Sequence, residues 1–135
     1  MRGSRFVFLS MVMLDESGDS GVESVLWMLV SPNNRRLGRA AQRIDEFEVC
    51  RERVMLLRQR HADLKPVTST AEPHGHWAWR VELDGAVAAV STRTYLRQRE
   101  CDYNLRRFLE AVPEADVATT TRTVRIGRLP AGHKR

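Results

Sequence analysis

Trp77-Ala78-Trp79-Arg80-Val81-Glu82-Leu83-Asp84-Gly85-Ala86-Val87-Ala88-Ala89-Val90-Ser91 is the stretch whose pattern decides the architecture. Trp77, Trp79, Val81 and Leu83 alternate with Ala78, Arg80 and Glu82, a period of two that gives an extended strand one apolar face. Asp84-Gly85 follows, and both residue types tolerate the positive φ of a tight hairpin turn, so Ala86 to Ser91 is expected to return as a partner strand. Beyond Leu96 the period lengthens. Cys101, Leu105, Phe108 and Val112 recur at i, i+4, i+7 and i+11, one face of a helix that stops before Pro113.

An offset of 51 residues brings an earlier segment into the same register. Asn33-Asn34 falls on Asp84-Gly85, Ala40 on Ser91, Ile44 on Tyr95, Cys50 on Cys101, Val54 on Leu105 and Leu57 on Phe108, while Trp27 lies one residue out of step with Trp77 and Trp79. The earlier copy therefore predicts a strand over Val22 to Ser31, a turn at Pro32-Asn33-Asn34 and a return over Arg36 to Gln42. A helix follows with Phe47, Cys50, Val54 and Leu57 inward, and a capping box is expected from Asp45 and Glu48. Further extended stretches are expected at Phe6 to Leu14, Leu64 to Thr70 and Val117 to Ile126, with Pro66 allowed at a strand start or edge. Antiparallel strands with both helices on one face make an α+β fold.

The signature Trp77, Trp79, Asp84, Gly85, Ser91, Tyr95, Cys101 and Leu105, echoed by Trp27, Leu29, Asn33, Asn34, Ala40, Ile44, Cys50 and Val54, resembles the YegP-like family, a small bacterial and archaeal domain of unknown function. The resemblance implies two tandem β-β-β-α-β repeats merged into a single antiparallel sheet, the last strand of each exchanged into the other half. On that reading residues 5–126 form one duplicated domain. Repeat 1 spans about 5–70 and repeat 2 about 64–126, the strand 64–70 being shared, and 127–135 is a flexible basic tail. The family brings dimerisation in some members and no accepted catalytic residues.

At 135 residues the chain suits one domain with a proper core, and its longest apolar run, Phe6 to Leu14, is too short for a membrane-spanning helix. Arg2 and Arg5 precede that run, but Asp15 and Glu16 end it without a small-x-small cleavage site, so an opening strand is the reading rather than a secretory leader. Two cysteines without CxxC spacing place the chain in a reducing cytoplasm. The net charge of +5 is unevenly divided: residues 117–135 hold Arg122, Arg125, Arg128, Lys134 and Arg135 and no acid, whereas the rest balances.

No catalytic constellation, cofactor loop or metal set assembles from these residues. Cys50 and Cys101 sit on apolar helical stripes, where a free cysteine behaves as a small hydrophobe. His74 and His76 flank Gly75 within a run that reads as a turn, with no third ligand type beyond Glu72. Ser91 with His76 lacks a nucleophile elbow. Trp27, Asn34, Cys50, Trp77, Trp79, Gly85, Tyr95 and Cys101 are structural on this reading. Arg35, Arg36, Arg39 and Arg43, with Arg93 and Arg97 (and Arg99 beside them) in the equivalent stretch, are the candidate contacts for an acidic partner, joined by the basic residues of the tail. They are also balanced by Asp45, Glu46, Glu48, Glu52, Glu100 and Asp102, as a solvated face would be. The expected role is a non-catalytic interaction or accessory module, with a protein partner or self-association and no membrane contact. The alternative is weak, sequence-independent nucleic-acid binding through the tail and the arginine-rich segments.

Overall fold

The computed structural model describes residues 3–14, 20–71 and 73–128, with side chains for 3–12, 24–70 and 73–124. The strands are β1 (Arg5–Leu14), β2 (Ser20–Val30), β3 (Arg36–Ala40), β4 (Lys65–Ala71), β5 (His76–Leu83), β6 (Ala86–Val90) and β7 (Asp116–Arg128). Helix α1 (Phe47–Gln59) lies between β3 and β4, and α2 (Gln98–Ala111) between β6 and β7. Among the described residues the strands form one mixed sheet in the order β4-β5-β6-β3-β2-β1-β7.

The decisive stretch folds as its pattern dictates. Asp84 and Gly85 have φ of 55° and 86°, and β5 and β6 pair antiparallel around them. Alternation along the strands sends Phe6, Phe8, Trp27, Leu29, Trp79, Val81 and Ala89 into the core. Cys50, Val54 and Leu57 of α1 and Cys101, Leu105 and Phe108 of α2 close over them. Phe108 stacks on Trp27 with ring centres 6.4 Å apart and tilts against Trp79 at 4.8 Å. Gly38 of β3 leaves room for that ring: a Cβ built on it would lie 2.5 Å from Phe108 Cδ1 and 2.7 Å from a Trp79 ring carbon.

Two short bridges anchor the approach to the helices. Val25 and Ile44 exchange backbone hydrogen bonds of 2.6 and 2.9 Å, and Trp77 and Tyr95 exchange bonds of 2.6 and 2.7 Å. The first bridge explains why the expected capping box is absent. It holds the chain extended through Ile44, so α1 starts only at Phe47; Glu46 takes the cap position, and no side chain caps the helix.

β4 pairs with β5, and β7 with β1. The expectation of a wholly antiparallel sheet is corrected at one pair, because β7 runs parallel to β1. The cause is where α2 delivers the chain. After Val112 and Ala115, both fully buried, the Asp116 N–H donates to the Ser4 carbonyl at 3.0 Å, so β7 begins beside the start of β1 and must run the same way. Pro66 lies on the edge strand β4, where its missing N–H costs no ladder bond. Gly127 and Arg128, expected in a free tail, are the last residues of β7, and 129–135 lie outside the described residues. No described helix is long and apolar enough to cross a membrane.

Candidate functional site

Helix α2 is amphipathic, and the face turned away from Cys101, Leu105 and Phe108 carries Arg99, Tyr103 and Arg106 at i, i+4 and i+7. Arg107 joins them. Opposite stand Arg35 and Arg36 from the β2–β3 turn and Arg93 and Tyr95 from the segment after β6, positioned by the Trp77–Tyr95 bridge. The two walls enclose an open groove of about 1060 Å³.

Six guanidiniums line this groove against two carboxylates, Glu100 and Asp102. Among the described residues none of the six forms an ion pair, and Glu100 faces Arg97 at 4.0 Å. Three of the arginines lie against aromatic rings instead. Arg93 lies 5.0 Å from the centre of the Tyr95 ring, and Arg106 and Arg107 lie 5.5 and 5.9 Å from that of Tyr103. Tyr103 remains 53% exposed. Burial raises the Tyr95 hydroxyl pKa, with Arg93 opposing, so the phenol stays a neutral donor. Asn104 ties the groove to the core: its Oδ1 accepts from the Trp79 indole N–H at 2.5 Å. Because indole can only donate, the Asn104 amide group is left as a donor.

Arg35, Arg36 and Arg93 of the sequence-derived candidates thus come together. The others do not. Arg39 is on the opposite face of β3 from Gly38, with Nη1 donating to the Ala40 carbonyl at 3.0 Å. Arg43 lies beside Asp45 and Glu46, Arg97 faces Glu100, and Arg122, on edge strand β7, lines a separate cavity of about 430 Å³ with Arg5 and Arg36. The side chains of Arg125 and Arg128, and Lys134 and Arg135 altogether, lie outside the described residues. Tyr103, Arg106 and Arg107 escaped the sequence reading although their helical spacing from Arg99 was there to be counted.

Cys50 and Cys101 are free and fully buried, and burial pushes both thiols up to about 11, outweighing Arg53 beside Cys50. They are poor nucleophiles at neutral pH. Trp27 and Trp79 are core residues, and Trp77 and Tyr95 pack against the core from its margin. Gly85 and Asn34 hold the two turns at positive φ. His74 and His76 have ring centres 5.8 Å apart, and Ser91 Oγ accepts from the Trp79 backbone N–H at 3.3 Å.

No family model matches the sequence, and no curated protein matches it. Solved structures do. The solution NMR structure of yegP from E. coli, a protein of unknown function, superposes with a TM-score of 0.55 at 8% identity, over 94% of this chain and 96% of that one. That of a UPF0339 protein from Shewanella oneidensis gives 0.55 at 9% identity, over 92% and 93%. At this identity the likeness shows a shared fold, and the YegP-like architecture is borne out at that level.

Proposed function

We propose that this chain is a non-catalytic interaction module whose contact surface is the groove between α2 and the arginine segments, and that its partner there is anionic. One observation carries the reading: six guanidiniums from three separate chain segments line one concavity without a carboxylate partner among the described residues. Unpaired like charges repel, so their concentration is a cost to the free protein that an anionic ligand removes. Arginine suits the task because its planar fork meets phosphate or carboxylate through two parallel hydrogen bonds. The matching strand, strand, helix order of the two halves supports reading residues 5–126 as a duplicated unit, and two unreactive buried thiols suit a reducing cytoplasm.

Retention on immobilised heparin tests the proposal. Arg99→Gln combined with Arg106→Gln should elute at clearly lower salt than the parent, whereas cutting the chain after Arg128 should change elution less. Elution unmoved by the double substitution, or governed by the tail, overturns it.

A further inference from the structure

Resting on that reading, we infer that the groove takes single-stranded nucleic acid, with phosphates on the arginines and a base against Tyr103. Acidic protein surfaces and phosphodiester chains both answer the positive charge, so charge alone does not choose. The aromatic component does. Tyr103 is a flat ring left 53% exposed on the wall of a charged groove, with Arg106 and Arg107 over it, whereas the carboxylates of an acidic peptide would engage the guanidiniums alone. Unpaired bases, in contrast, carry free π-faces that stack on tyrosine and on guanidinium planes, and they do so for any base.

Arg106 and Arg107, 5.5 and 5.9 Å from the Tyr103 ring centre, are close enough to reach a phosphate of a nucleotide stacked there. Along α2 the row Arg99, Tyr103, Arg106 extends over roughly 10 Å, enough for the backbone of a few nucleotides to follow. Arg35, Arg36 and Arg93 face it from the other wall. The Asn104 amide, with its oxygen fixed by Trp79, offers a neutral donor within the same concavity. A duplex keeps its bases stacked inside and cannot present one to Tyr103, so the geometry selects single strands. Stacking on Tyr103 accepts any base, so recognition is sequence-independent.

Fluorescence anisotropy with a labelled oligouridylate of about ten nucleotides tests this against an RNA duplex of equal length. The single strand should bind the full chain more tightly than the duplex. Tyr103→Ala should weaken it by roughly 5- to 150-fold with the salt slope unchanged, and Tyr103→Phe should retain binding. Arg99→Gln with Arg106→Gln should make the slope of log affinity against log salt shallower by about 1.4, two phosphate contacts being lost from a single strand. Tyr103 is exposed, so thermal melts of its variants should match the parent. If Tyr103→Ala binds like the parent, or the duplex binds equally well, the nucleic-acid inference is wrong; heparin retention that still depends on Arg99 and Arg106 would then leave the anionic groove standing. If neither heparin nor the oligonucleotide responds to the arginine substitutions, both readings fall.

Discussion

Gly38→Ala adds one methyl group to the most crowded point of the core. The new Cβ would sit 2.5 and 2.7 Å from two carbons of Phe108 and 2.7 Å from a carbon of Trp79, where carbon atoms settle at about 3.5–4.0 Å. One of the rings must therefore move by roughly 1 Å. Neither has room: Phe108 is fully buried between Trp27 and Trp79, and Trp79 is 2% exposed and tethered to Asn104. Overpacking of this kind costs about 1–3 kcal/mol. Against it stands the roughly 0.5–1 kcal/mol that alanine gains over glycine in a strand, available here because the Gly38 backbone lies outside the left-handed region. The net expectation is destabilisation of about 1–2 kcal/mol, or about 3–10 °C in Tm for a chain of this size. Thermal unfolding followed by circular dichroism, with the near-ultraviolet tryptophan signal as a second probe, measures it. Phe108→Leu in the Gly38→Ala background should recover part of the loss, giving a coupling of at least about 0.5 kcal/mol. A Gly38→Ala protein that melts at or above the parent, or a double mutant that is simply additive, refutes the packing described.

Cys50 and Cys101 should react with a thiol reagent only after denaturant opens the fold, and replacing either with Ala should cost about 1 kcal/mol or more in chemical denaturation. Gly85→Val should cost more than about 1 kcal/mol although a Cβ there meets nothing within 4 Å, because the strain of a β-branched residue at φ +86° is in the backbone; Asn34→Gly should stay within about 1 kcal/mol of the parent. Arg60 hydrogen-bonds Asp84 and holds its carboxyl below the usual 3.8, so the pair's small contribution is present above that value and disappears as the pH falls through the lowered one. Asp84→Asn, compared with the parent in melts at neutral and strongly acid pH, should therefore be less stable only at neutral pH, and high salt should shrink the difference.

Hairpins and helix faces were readable because each is a local rule. Trp79 and Val81 two apart, Asp84-Gly85 at a turn, and Cys101, Leu105 and Phe108 on one stripe depend on neighbours within a few residues. The direction of β7 was not readable, since it follows from the place where Asp116 meets Ser4, a contact between the two ends of the sheet's chain path. The groove was half readable for a related reason. Arg35 and Arg36 drew attention as a cluster, but clustering along the chain also gathered Arg39 and Arg43, which strand alternation and the Val25–Ile44 bridge send elsewhere. Tyr103, Arg106 and Arg107 are signalled in the sequence only by the polar stripe of α2, a pattern that any solvated helix face shares.

The pairing of β7 with β1 sets the order in which this protein can be completed as it is made. On the ribosome β1 and β2 emerge early, yet the partner for the outer edge of β1 is translated only after α2. For that interval a nascent chain bearing Phe6 and Phe8 carries an open, hydrogen-bonding strand edge, the kind that pairs with whatever extended segment is near. Contacts so distant along the chain also raise the contact order and slow folding. A chain interrupted before β7 should consequently be a client for chaperones or a seed for edge-to-edge aggregation, rather than a smaller folded domain.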